Sequence, residues 1–178
     1  MIQPVHPNHD SEPPTPGAHR RIPLADATAT EALGGQLAAG LRPGLVIYLQ
    51  GDLGAGKTTM ARGMLRALGH AGKVKSPTYT LIEPYALSRL DLYHFDFYRF
   101  EFPEEYLEAG LDEYFSGHGV CLVEWPDRAA PHVPPPDLVI QLDPAGDERE
   151  ATLDARTEAG RSCLTTLPPL PAPPAANS

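Results

Sequence analysis

Cysteine is nearly absent from the chain. Cys121 and Cys163 are the only two in 178 residues, and they stand far apart with no Cys-x-x-Cys pair. That excludes a disulfide framework and a cysteine-based zinc site. Cys121 lies inside an apolar run and reads as a buried thiol rather than a nucleophile. No apolar stretch approaches the roughly 20 residues that a membrane-spanning helix needs. Residues 1–17 carry prolines and acids without a basic flank or an apolar centre, so no secretory signal is expected. The expected address is the cytoplasm, with no membrane partner. Basic residues are also scarce, 14 Lys and Arg against 23 Asp and Glu, for a net charge of −9. Such a balance does not grip a phosphate backbone by bulk charge, which argues against a dedicated nucleic-acid binder.

Proline, by contrast, is plentiful at 21 residues, and it gathers at the two ends. Pro4, Pro7, Pro13, Pro14, Pro16 and Pro23 punctuate the start, and Pro168, Pro169, Pro171, Pro173 and Pro174 alternate with alanine near the finish. Neither end offers enough apolar surface to offset the entropy of ordering. Residues 1–23 and 161–178 are therefore expected to be disordered tails, with a proline-rich docking motif as the alternative. Residues 24–160 are expected to form one domain, a size that suits a single core.

Within that domain the apolar spacing alternates between helix and strand. Leu33, Leu37, Ala38 and Leu41 share a stripe that predicts a helix over 28–41, capped by Asp26 or Thr28. The run Leu45-Val46-Ile47-Tyr48-Leu49 predicts a central strand covered on both faces. A helix is predicted from Lys57 to about Leu68, stopped near Gly69. Residues 78–85 and 90–98 read as a hairpin, with Leu90, Leu92, His94, Asp96 and Tyr98 on one face. A helix over 104–115, interrupted near Gly110, precedes a short strand at Val120–Val123. Leu138–Leu142 and Ala151–Leu153 read as edge strands. The fold class predicted is α/β, a P-loop NTPase-like three-layer sandwich with a mixed, partly parallel central sheet.

The strongest chemical signal is Gly51-Asp52-Leu53-Gly54-Ala55-Gly56-Lys57-Thr58, set between the central strand and a helix. Glycines at 51, 54 and 56 let the backbone wrap a phosphate closely. Successive N–H groups then form an anion-binding concavity, reinforced by the N-terminus of the helix. Lys57 supplies charge for the β- and γ-phosphates, and the Thr58 hydroxyl supplies a ligand to Mg²⁺. Nucleotide contacts are expected from Asp52, Leu53, Gly54, Ala55, Gly56, Lys57, Thr58 and Thr59.

Hydrolysis needs more, because carboxylates must hold the cation and place a water. Two stand out. Asp96 lies in the aromatic segment His94-Phe95-Asp96-Phe97-Tyr98-Arg99, and Glu124 ends the apolar run beside the loop. The carboxyl end of a strand is where ligands sit in open α/β sheets. A salt bridge to Arg99 is the plain alternative for Asp96, and a surface charge for Glu124. His94 reads as a packed residue, and Trp125 as a core plug more than a stacking platform.

Taken in order, the P-loop, Ser76-Pro77-Thr78-Tyr79-Thr80, His94-x-Asp96-x-Tyr98-Arg99 and Val123-Glu124-Trp125-Pro126 resemble the TsaE (YjeE) family. That family is the small ATPase of bacterial tRNA threonylcarbamoyladenosine synthesis, and the likeness runs from about Thr28 to Arg149. The resemblance implies ATP and Mg²⁺ as cofactors. It also implies two threonylcarbamoyl-transfer subunits, of the TsaB and TsaD type, as partners, and tRNA indirectly. It further implies that Lys57, Asp96 and Glu124 are catalytic and that Thr58, Glu124 and Asp96 serve the metal. Thr30 falls where the family has a threonine near the nucleotide, and Trp125 matches a tryptophan tied to nucleotide and partner function. Residues 76–80 correspond to a switch-like loop. Tyr79 stands where phenylalanine is commoner.

Two other readings share the same loop. A small-molecule kinase would suit the chain length but lacks an arginine-rich lid segment. A nucleotide-gated binding module would recruit a partner through ATP occupancy, without needing turnover.

Overall fold

The computed structural model describes residues 18–169. Strand β1 (His19–Leu24), helix α1 (Ala27–Ala38), strand β2 (Val46–Gln50) and helix α2 (Lys57–Ala67) come first. The hairpin β3 (Ile82–Ala86) and β4 (Asp91–Asp96) follows, then the single turn α3 (Glu105–Glu108) and β5 (Gly119–Glu124). Strands β6 (Leu138–Ala145) and β7 (Glu148–Ala155) and helix α4 (Glu158–Leu164) complete the order. Short 3₁₀ turns occupy Leu111–Phe115 and Pro126–Ala129.

The seven strands form one sheet in the order β1-β7-β6-β2-β5-β4-β3. Strand β2 runs parallel to both β5 and β6, and β4 runs parallel to β5. The pairs β3/β4, β6/β7 and β1/β7 are antiparallel. This is the mixed, partly parallel sheet expected from the alternation of βα units and hairpins.

The two faces of the sheet carry separate cores. On one, Leu33, Leu37, Met60, Met64 and Leu65 of α1 and α2 cover Ile47, Leu49, Leu92, Leu122 and Ile140. On the other, Phe95, Phe97, Cys121 and Val123 pack beneath Phe100, Tyr106 and Leu111. Burial of this apolar surface on both sides supplies most of the driving force for folding. Helices α1 and α2 meet through glycine: a Cβ on Gly34 would collide with the Met60 carbonyl oxygen, and one on Gly63 with that of Glu31. Asp26 caps α1 by accepting from the Ala29 amide at 2.8 Å, which decides between the two capping residues offered by the sequence.

Several boundaries differ from the sequence expectation. Residues 19–23, assigned to a tail, form most of β1, because β7 offers an unpaired edge and Arg21 reaches Glu150 at 2.6 Å. The other limit, at 160/161, falls inside α4, where Thr157 caps the helix and Cys163, Leu164 and Leu167 are buried. The rest of the proline-rich tails, 1–17 and 170–178, lies outside the described residues. Strands β6 and β7 are interior, because β1 joins beyond β7; the edges are β1 and β3. Strand β3 starts at Ile82 instead of Thr78, after a turn in which Leu81 adopts φ 67°. Strand β4 stops at Asp96, two residues before Tyr98. The break foreseen at Gly110 is real, with φ 65°, and leaves α3 only four residues long.

Candidate functional site

The loop 51–56 leaves the carboxyl end of β2 and turns into α2 through Gly56, whose φ of 105° is a left-handed conformation that glycine adopts freely. No side chain caps α2. Its first amides and its dipole therefore face the cleft without an internal partner, the arrangement that binds anions. The cleft, about 250 Å³ in volume, is lined by residues 53–59 of the loop and the first turn of α2 together with Ser76, Thr78, Asp96, Glu124 and Trp125.

Lys57 opens α2 and is almost fully buried. Its ammonium donates to the carbonyls of Gly51 and Asp52 and lies 4.8 Å from the centre of the Trp125 ring. Burial lowers its pKa, and the negative charges of Glu124, Asp96 and Asp52 oppose that shift. One lysine thus stands among three carboxylates.

Asp96 and Glu124 are paired in register across β4 and β5, both buried. Alternation along β4 puts Leu92, His94 and Asp96 on the α2 side and Phe95 and Phe97 on the other. Asp96 makes no salt bridge with Arg99, whose guanidinium stacks 4.1 Å above the Tyr79 ring. Hydroxyls take that place. Thr78 donates to Asp96 Oδ2 at 2.9 Å and Ser76 at 3.3 Å, while the Tyr98 amide donates to Oδ1 at 2.9 Å. These donors offset the desolvation of a buried carboxylate. They also tie the segment 76–80 directly to the site.

Glu124 has a different partner. Its Oε1 accepts from His94 Nε2 at 2.8 Å, and the histidine is completely shielded from solvent. The sequence offered His94 as a packed, hydrogen-bonded residue and only a weak candidate for the site. The signal available there was its spacing of two from Asp96, which puts both on one strand face; the parallel register that brings Glu124 alongside is a tertiary fact.

Trp125 fills the expected core role only in part, packing against the aromatic core while one side faces the clefts. It leaves β5 with φ 54°, is half-buried, and forms a wall between the loop cleft and a second cleft of about 260 Å³. Asp52 lines that second cleft with Gln50, Asp127 and Gln141, and reaches Lys57 through its carbonyl. Thr30 does not line the loop cleft. It is buried behind Gly56, its methyl 3.4 Å from where a Cβ would stand, and its hydroxyl donates to the Asp26 carbonyl.

Among the described residues, no group of three or more His, Cys, Asp or Glu is placed to hold a metal ion. A cation at Thr58, Asp96 and Glu124 would need further oxygens, such as those of a phosphate and water, which is how Mg²⁺ is usually bound. Two buried carboxylates beside a bound polyphosphate would call for a divalent cation between them. Among the described residues, no helix is long and apolar enough to cross a membrane.

Comparison with known proteins gives a consistent result. The family model described as "Threonylcarbamoyl adenosine biosynthesis protein TsaE" matches residues 24–152. The tRNA threonylcarbamoyladenosine biosynthesis protein TsaE of Haemophilus influenzae is 44% identical over 123 residues, covering 69% of this chain and 78% of that protein. The protein of the same name from Bacillus subtilis is 48% identical over 127 residues, covering 71% and 79%. The crystal structure of Bacillus subtilis YdiB superimposes with a TM-score of 0.72 at 38% identity, over 83% of this chain and 92% of that one. With the P-loop, the paired acids and this likeness together, the chain belongs to the TsaE family of tRNA threonylcarbamoyladenosine biosynthesis proteins.

Proposed function

We propose that the chain binds and hydrolyses ATP–Mg²⁺, slowly alone and faster with partners. Turnover then supports formation of the threonylcarbamoyl group on the tRNA adenosine beside the anticodon. The partners are two transfer subunits of the TsaB and TsaD type, and tRNA is engaged through them. One observation carries this reading: Lys57 at the start of α2 faces two buried carboxylates, Asp96 and Glu124, held in register on adjacent parallel strands.

Each residue then has a task. Backbone amides of residues 54–58 receive the phosphates, and Lys57 supplies positive charge beside them. Thr58, Asp96 and Glu124 hold the cation, directly or through water. Mg²⁺ bound there would supply positive charge against the negative charge of the phosphates. Trp125 walls the cleft beside the Lys57 ammonium. Ser76 and Thr78, bonded to Asp96, make the segment 76–80 responsive to what occupies the cleft.

The test is ATP hydrolysis by the purified chain, alone and then with the two transfer subunits and tRNA. Stimulation by the partners that disappears in Asp96→Ala supports the reading. Absence of stimulation, with steady phosphate transfer to a metabolite, replaces it with a kinase.

A further inference from the structure

Two buried polar side-chain atoms lack a hydrogen-bond partner among the described residues, Nδ1 of His94 and the hydroxyl of Tyr106. The first adjoins the site. An imidazole sealed from water with one nitrogen orphaned is costly, and a leucine or phenylalanine would fill the same position without that cost. What offsets it is the other nitrogen, 2.8 Å from Glu124 Oε1. A carboxylate only accepts, so Nε2 carries the proton.

The backbone explains how the ring arrives there. His94 precedes Asp96 by one same-face step on β4, and it pairs with Leu122 while Asp96 pairs with Glu124. The ring therefore sits one same-face step below the two acids, behind the lining of the cleft. Asp96 is held from the loop side by Ser76 and Thr78; Glu124 has no side-chain donor among the described residues except this one.

We propose that His94 is a positioning residue: by donating to Oε1 it fixes the orientation in which the Glu124 carboxylate would meet the cation of the bound nucleotide. This rests on the Mg²⁺–nucleotide site proposed above. Ligating carboxylates are commonly held by such outer hydrogen bonds, and losing one typically weakens metal binding or activity about 10- to 100-fold. His94 does not touch the phosphates; it acts through Glu124.

Trp125 is the only tryptophan in the chain and lines the cleft, so its fluorescence reports the site without any turnover. The experiment titrates Mg²⁺ into the protein saturated with a slowly hydrolysed ATP analogue and compares three variants. In His94→Gln the amide nitrogen reaches the place of Nε2; in His94→Asn it falls nearer that of Nδ1; His94→Leu has no donor. Mg²⁺ dependence close to that of the unsubstituted protein is expected for His94→Gln. A weakening of about 10-fold or more is expected for His94→Asn and His94→Leu. Affinity for the nucleotide without Mg²⁺ should barely change, and kcat should fall while KM for ATP holds. In a Glu124→Gln background, His94→Leu should add no further loss. Equal Mg²⁺ dependence in His94→Gln and His94→Asn overturns the proposal. So does a His94→Leu protein that binds Mg²⁺ normally, or a His94→Leu effect that persists undiminished without the Glu124 carboxylate. A Trp125 signal in the unsubstituted protein that ignores nucleotide altogether is a separate result, and it fails the nucleotide-site reading itself.

Discussion

Asp96 and Glu124 lie opposite one another on β4 and β5, and each is bonded to a different part of the chain. Asp96 accepts from Ser76 and Thr78, in the segment that precedes β3, whereas Glu124 accepts from His94 within the sheet. Buried carboxylates this close repel one another, and separate donors together with the charge of Lys57 make the arrangement tolerable. One acid is thus coupled to a loop and the other to the rigid centre.

Lys57→Ala should reduce ATP turnover by about 100-fold or more, the scale of losing one charge-stabilising group at a reacting centre. The fold should survive, since the ammonium bonds only to the carbonyls of Gly51 and Asp52, residues that border a cleft open to water. Hydrolysis assays and thermal melting check both halves. Normal turnover in this variant would remove the basis for the ATPase reading.

Thr78→Val deletes the shorter of the two hydroxyl bonds to Asp96. A loss of about 1 kcal/mol in urea unfolding is expected. Amide exchange should quicken at Leu81, whose N–H donates to the Pro77 carbonyl at 2.8 Å, and at Asp96, whose N–H donates to the Leu81 carbonyl at 3.0 Å. If exchange there is unchanged, the coupling between this loop and Asp96 is not mechanical.

Gly63→Ala and Gly35→Ala should differ sharply although both add one methyl. At Gly63 the Cβ strikes the Glu31 carbonyl, and forcing α1 from α2 should cost about 1–3 kcal/mol or more. At Gly35, within α1, the nearest atom is 3.7 Å away. There the gain in helix propensity should stabilise by about 0.5–1 kcal/mol. Melting temperatures that move together would contradict the observed helix crossing.

Burial, helped by nearby Asp127, pushes the Tyr48 phenol up to about 12 from 10.0. Its hydroxyl donates to the Pro134 carbonyl at 2.6 Å. The folded value lies above the unfolded one, so the unfolded chain releases this proton first as pH rises. The stabilisation is complete below pH 10.0 and is lost as pH climbs through about 12. Tyr48→Phe should flatten that part of the stability curve relative to the unsubstituted protein. Parallel curves from urea unfolding across the window would show the phenol is not shielded.

Much of the site was legible because its parts are local. The loop 51–58 announces itself through glycine spacing followed by Lys57 and Thr58, and Asp26 is a capping residue within four positions of the helix it starts. Asp96 and Glu124 stood out because an acid in an apolar strand is costly without a purpose. Less legible were contacts made across elements. The composition of 19–23 resembles a tail, yet pairing with β7 makes it a strand. Trp125 looked like core until its left-handed backbone turned the ring towards Lys57.

By itself, the sequence determined what depends on neighbours along the chain: the P-loop and its helix, the apolar strands, the glycine break at 110 and the family. Tertiary structure alone decided which acid met which donor. Residues 96 and 124 are 28 positions apart, and only the parallel register of β4 on β5 brings them level, with His94 beneath one and Thr78 beside the other. Register comes from packing both sheet faces at once, against α1 and α2 on one side and the aromatic cluster on the other, and no local pattern encodes that sum.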